Sequence, residues 1–224
     1  MFGHAVLEPS YRKRTAYQAM LLGGMATLAS AVLVLGDMET RGTIALRKAE
    51  DLKASLSQVL PDAVHDNDLL SDVLTLTPMQ TGSRPVTVYR ARLEDRISAV
   101  AYTVSSTGYA GPITCIIGIA ANGEILGVRV LSHAETPGLG DKIEIARDNW
   151  ITSFNGRSLA NTDEREWQVK KDGGIFDQFT GATITPRAVV KAVHEGVALF
   201  EANRAALLAL KIPTAEAEGE IDHE

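Results

Sequence analysis

Two short stretches of this chain hold the residue types and spacings that could do chemistry. The first is Thr180-Gly181-Ala182-Thr183-Ile184-Thr185-Pro186. Gly181 and Ala182 have almost no side chain, so a bulky anionic group could approach the backbone there, and Thr183 presents a hydroxyl. A helix is predicted to follow, and its N-terminus would point free N–H groups and partial positive charge at that place, as a phosphate requires. The same string also fits a small-residue turn with ordinary capping. The second stretch is His133-Ala134-Glu135-Thr136-Pro137-Gly138-Leu139-Gly140. Pro137 stiffens it, while Gly138 and Gly140 permit positive φ and close approach to a flat ring or a phosphate. Lys142 just after it could balance a phosphate, and Glu135 could in principle act as a general base. Taken alone, this stretch also reads as a strand-to-helix connection made of turn residues.

Other chemistries find less support. His4, His65, His133, His194 and His223 show no metal-ligand spacing, and His194 fits a packing or surface role on a helix. There is no Gly-x-Ser-x-Gly elbow for a hydrolase, and no Gly-x-Gly-x-x-Gly after a strand for a dinucleotide. The single cysteine, Cys115, excludes an internal disulfide framework and a Cys-ligated metal or iron–sulfur site; its apolar neighbours make it a core residue. A net charge of -6 without a basic patch argues against nucleic acid.

The elements that must position these stretches begin with an apolar run. Ala16 to Gly36 is almost wholly apolar or small, roughly 21 residues that reach about 31 Å as a helix, enough for a hydrocarbon core of about 30 Å. Arg12-Lys13-Arg14 precedes the run, and Asp37 and Glu39 are the first charges after it. The positive-inside rule therefore places residues 1–14 in the cytoplasm and the rest of the chain outside it. Ala29-Ser30-Ala31 has the spacing of a signal-peptidase site, but Val32-Leu33-Val34-Leu35 continues the apolar run beyond it, which favours a retained anchor over a cleaved signal.

From 37 to 61, Ala45, Ala49, Leu52, Leu56 and Val59 recur at helical spacing until Pro61, an amphipathic helix leading out of the membrane. Residues 62–211 are expected to form the globular domain. Val86–Tyr89 and Ala99–Val104 read as strands. Ile113 to Val130 reads as a hairpin whose Asn122-Gly123 turn supplies two positive φ values. A helix is predicted over Lys142–Phe154, with Ile143, Ala146, Trp150 and Ile151 on one face, and a last strand over Trp167–Lys170. A long helix is predicted from Pro186 to about Leu210, shortly before Pro213. Thr185 is its expected N-cap, and Val189, Val193 and Val197 form its core-facing stripe beside Val190 and Phe200. Residues 212–224, with Glu216, Glu218, Glu220, Asp222 and Glu224, read as an acidic disordered tail. The fold class is α+β, an antiparallel sheet with flanking helices, preceded by one transmembrane helix.

A resemblance narrows the chemistry. Asp177-Gln178-Phe179-Thr180-Gly181-Ala182-Thr183 resembles the flavinylation signal Asp-x-x-(Ser/Thr)-Gly-Ala-Thr of the FMN-binding domain in the G subunit of Rnf electron-transport complexes. The C subunit of the sodium-pumping quinone reductase shares that domain. The core Glu135-Thr136-Pro137-Gly138-Leu139-Gly140 is similar to the family's second signature, which lines the flavin pocket. Gly108-Tyr109-Ala110-Gly111 resembles its Gly-Tyr-x-Gly run. The departures are Thr180 for the commoner Ser and Pro186 where Ser is frequent; both leave the acceptor hydroxyl in place.

The resemblance implies FMN held covalently by a phosphoester to Thr183. It further implies a flavin transferase that reads Asp177 and the small residues, with Thr180, Gly181, Ala182, Thr185, Glu135, Thr136, Gly138, Leu139, Gly140 and Tyr109 about the cofactor and Lys142 balancing its charge. It also implies other membrane and redox subunits as partners, membrane lipid around the anchor, a bacterial inner-membrane location, and no independent catalytic site. Three readings stand beside it: the matching subunit of the sodium-pumping quinone reductase, a membrane-anchored FMN sensor, and an anchored scaffold without flavin.

Overall fold

The computed structural model of the chain describes residues 15–76 and 85–210. Arg12–Arg14, which carry the topology argument, and the acidic residues 212–224 with Pro213 lie outside the described residues. The chain divides into two compact units, Met1–Asp51 and Leu52–Glu224.

Helix α1 (Thr15–Val59) is uninterrupted, so the apolar run and the amphipathic stretch are one element rather than two. Within the first unit, Thr15–Gly42 is long and apolar enough to cross a membrane. Its large apolar side chains, among them Met20, Leu22, Leu28 and Leu33, are exposed. Asp37 interrupts the apolar surface within the helix, and Arg41 one turn on donates from Nε to its carboxylate at 2.6 Å. Of the predicted amphipathic stripe, Leu56 and Val59 are buried and Leu52 partly so; the side chains of Ala45 and Ala49 lie outside the described residues.

The second unit is built on one antiparallel meander. Its strands β1 (Val73–Leu76), β2 (Val86–Leu93), β3 (Arg96–Thr107), β4 (Pro112–Ala120) and β5 (Ile125–Ser132) lie side by side in chain order. The predicted hairpin is β4–β5, but only Gly123 of its turn has a positive φ, 94°. The turn closes through the Gly123 N–H to the Ala120 carbonyl at 2.8 Å, a wider connection than the two-residue form. Two successive positive φ values occur instead at Glu94 (47°) and Asp95 (59°), the tight turn between β2 and β3.

Both faces of the sheet are covered, which is why β4 reads as a continuous apolar run rather than an alternating one. On one face Ile113, Cys115, Ile117 and Ile119 pack with Val189, Val193, Val197 and Phe200 of helix α2 (Ile184–Leu207). Burial pushes the Cys115 thiol up to about 12, leaving it an inert core residue. On the other face the last turns of α1, through Leu56, Val59 and Leu60, meet the small residues Ala91, Ala99 and Ala101 with Ile116.

Between β5 and α2 the chain departs from expectation. The predicted helix over Lys142–Phe154 is two short 3-10 segments, Asp141–Ile143 and Asn149–Phe154. Glu144 is extended (ψ 132°), and the Asp148 carboxylate accepts the Trp150 N–H at 2.9 Å, starting a new turn. Ile143, Trp150 and Ile151 are buried as predicted, but Ala146 is exposed. The predicted strand Trp167–Lys170 reduces to one parallel bridge, Val169 to Phe176. Aromatic packing holds this region where a ladder does not: Phe154 stacks on Phe176 at 4.5 Å, and Trp150 meets Phe154 and Phe179 edge-on. His194 takes a packing role, stacked on Trp167 at 5.3 Å.

Candidate functional site

Helix α2 begins at Ile184, with Thr183 at the N-cap and Pro186 inside the first turn, where its missing N–H leaves no helical bond unmade. It ends at Leu207 rather than Leu210. Thr185 is therefore not the cap. It is fully buried, and its hydroxyl donates to Glu135 Oε2, fifty positions away in sequence. Thr183 makes no side-chain capping bond, and among the described residues its hydroxyl has no hydrogen-bond partner. A threonine at a helix N-terminus that leaves its hydroxyl uncommitted keeps a nucleophile available.

Glu135 ties the three motifs together. The residue is 4% exposed, and its carboxylate accepts the Ala110 N–H at 3.0 Å and the Thr185 hydroxyl. Its own N–H donates to His133 Nδ1 at 3.0 Å, so the His133 proton sits on Nε2 and is donated to Glu144 at 2.7 Å. Gly140 closes against the same carboxylate: a Cβ there would lie 2.8 Å from Glu135 Cβ and 3.0 Å from Thr185 Oγ1. Its φ of -89° is ordinary, so closeness and not backbone freedom demands glycine. Positive φ occurs instead at Gly138 (79°) and Gly181 (83°), the hinges of the two loops.

Gly140→Val is accordingly expected to destabilise the chain, before any ligand is bound, by about 1–3 kcal/mol through overpacking against Glu135 and Thr185. An unchanged denaturation midpoint would show that this contact yields without cost.

The loops enclose a cavity of about 470 Å3, within the usual range for small-molecule sites. Its wall brings together Tyr109, Glu135, Thr136, Leu139, Gly140, Gly181, Ala182, Thr183 and Thr185, all singled out in the sequence, and adds Ile184. Tyr109 (72% exposed), Leu139 and Ile184 form an apolar rim. Ile184 was legible only as an apolar residue inside the motif. Four predicted residues lie outside the wall. Lys142 is exposed on its 3-10 segment, Gly138 and Thr180 are exposed, and Asp177 pairs with Lys170 at 2.6 Å on the surface. Among the described residues the wall thus contains no basic side chain, and Glu135 is its one charged residue. Sequence reading also missed Trp150, whose Nε1–H donates to the Asp177 carbonyl at 2.8 Å and pins the start of the Thr180–Thr183 loop.

Residues 108–198, which span all three loops, match the FMN-binding domain family. The chain is 52% identical over 190 residues to the G subunit of the ion-translocating oxidoreductase complex of Cereibacter sphaeroides, covering 85% of this chain and 86% of that protein. The chain belongs to the G-subunit family of ion-translocating oxidoreductase complexes. The G subunit of Pseudomonas aeruginosa is 43% identical over 206 residues, covering 91% of this chain and 96% of that one. Among solved structures, Shewanella oneidensis NqrC is similar at 23% identity and a TM-score of 0.45, over 63% of this chain and 74% of that chain. In this member of the G-subunit family, the cavity, the matched domain and the three motifs coincide.

Proposed function

We propose that this chain is the membrane-anchored electron-transfer subunit of an Rnf-type ion-translocating ferredoxin:NAD+ oxidoreductase complex, carrying FMN esterified through its phosphate to Thr183. The observation that carries the reading is the free Thr183 hydroxyl at the start of α2, in the wall of a cavity built from all three motif loops. The residues fit the group. The volume suits a small cofactor, the apolar rim of Tyr109, Leu139 and Ile184 suits a flat ring, and the α2 N-terminus suits a phosphate where no basic side chain is present.

When bound, the flavin supplies one- and two-electron transfer. The chain's own part is to hold and orient it. Thr183 provides the bond, Gly181 lets its loop turn, and the rim shields the ring from water. Asp177, Thr180 and Gly181 are exposed, as residues read by a flavin transferase must be. Lys142, beyond the wall, is left with long-range charge compensation. Residues 15–36 anchor the chain in the bacterial inner membrane, 1–14 remain cytoplasmic, 37–61 lead outward, and 62–211 hold the flavin on the periplasmic side among the other subunits of the complex. The names of the relatives favour this complex over the quinone reductase and over a lone sensor.

The wild-type chain, co-expressed with a flavin transferase, is expected to gain the mass of FMN less water and to fluoresce in a denaturing gel. External protease on spheroplasts should remove the domain after the anchor and spare the first residues. A chain that stays colourless, or a protected domain, would reject the corresponding half of the reading.

A further inference from the structure

Glu135 is a buried carboxylate that makes no ion pair among the described residues, and it faces the cavity. Both its oxygens are engaged by donors, Ala110 N–H and Thr185 O–H, so it is hydrogen-bonded but not neutralised. Such a group opposes any further negative charge arriving beside it, because a carboxylate buried among protein atoms is screened less than one in bulk solvent. Glu135 also joins the three motifs: it stands on one and receives a hydrogen bond from the Gly108–Gly111 loop and one from the first turn of α2. Gly108 and Gly140 are both shaped around it, since a Cβ at either would overlap its side chain.

We propose that Glu135 is a positioning residue with two separable effects: its hydrogen bonds preform the cavity before the cofactor arrives, and its charge lowers the reduction potential of the flavin held there. The second effect rests on the carrier reading above; the first does not. A ring that gains electrons gains negative charge or takes up a proton, and a fixed carboxylate in the wall makes the charged product less favourable.

Glu135→Gln separates the two effects. The carboxamide oxygen still accepts from Ala110, and its NH2 donates to the Thr185 hydroxyl, which turns to accept. The clamp survives while the charge is lost. Glu135→Ala removes both.

The test uses the full-length chain in detergent. Hydrogen exchange at the Ala110 amide is followed without flavin, and the midpoint potential is titrated on the flavinylated chain. Glu135→Gln should keep Ala110 protected and shift the potential to a more positive value. Glu135→Ala should lose Ala110 protection in the flavin-free chain. An unchanged potential in Glu135→Gln, with Ala110 still protected, would overturn the charge effect. Loss of Ala110 protection in Glu135→Gln would overturn the clamp. A wild-type chain that accepts no flavin would sink the carrier reading, while the exchange measurement would still decide the clamp.

Discussion

Thr183→Val is expected to abolish covalent flavin attachment and leave the fold intact. Valine reproduces the branched shape of threonine and lacks only the hydroxyl, the group that must form the phosphoester. Thr183 is half-buried and its hydroxyl has no partner among the described residues, so the substitution removes no hydrogen bond and should cost little stability. Both the in-gel fluorescence and the added mass should disappear. Thr180 is exposed and stands in the stretch proposed to be read by the transferase, so Thr180→Val should lower the yield of attachment without moving the bond from Thr183. Thr185→Val is a different kind of control. Because Thr185 donates to buried Glu135 instead of capping the helix, its loss leaves a carboxylate oxygen unpaired and costs about 1–3 kcal/mol. The bond to Thr183 should still form there, in a less stable chain. Fluorescence retained in Thr183→Val would move the attachment to another residue.

The second large effect is expected at Gly118, on the face of the sheet away from α2. Gly118 on β4 is paired with Gly127 on β5, and the two lie beneath the end of α1. A Cβ at Gly118 would overlap the Val59 carbonyl oxygen, whereas at Gly127 it would sit 3.3 Å from Gln58 O and Val59 Cα. Backbone cannot rotate away as a side chain can. Gly118→Ala should therefore push the end of α1 off the sheet, destabilising the chain by about 3 kcal/mol, the upper end of the range for overpacking. Gly127→Ala should cost distinctly less. Chemical denaturation of the two variants decides this: equal midpoints would mean that the α1 end is not seated on this glycine pair. Thr183 stands at the start of α2, which packs on the opposite face of the sheet, so its chemistry is not expected to change in either folded variant.

What the sequence determined by itself was whatever depends on neighbours along the chain. The apolar run Ala16–Gly36, the β4–β5 hairpin and the valine stripe of α2 are periodicities or run lengths, and each has its counterpart in the fold, the first within the longer apolar helix Thr15–Gly42. The motif strings were legible for the same reason: Thr183 and its small neighbours are contiguous. Departures arose where the backbone did not follow a local pattern. Residues 142–154 have a helical spacing of apolar residues, but Glu144 and Asp148 break the backbone between them, and burial of Ile143, Trp150 and Ile151 needs no continuous helix. The second of the two 3-10 segments packs through Phe154 against Phe176. Likewise Thr185 has the local signature of a cap, because caps are recognised from neighbours. Its hydroxyl goes instead to Glu135, and Gly140 needs its missing side chain for closeness and not for φ. The resemblance grouped Tyr109, Glu135 and Thr183 about one cofactor, but only the tertiary structure gives them one wall and leaves Lys142 and Asp177 outside it. Those outcomes depend on contacts between loops far apart in sequence, which the meander and α2 bring together, and no local pattern encodes the distance between them.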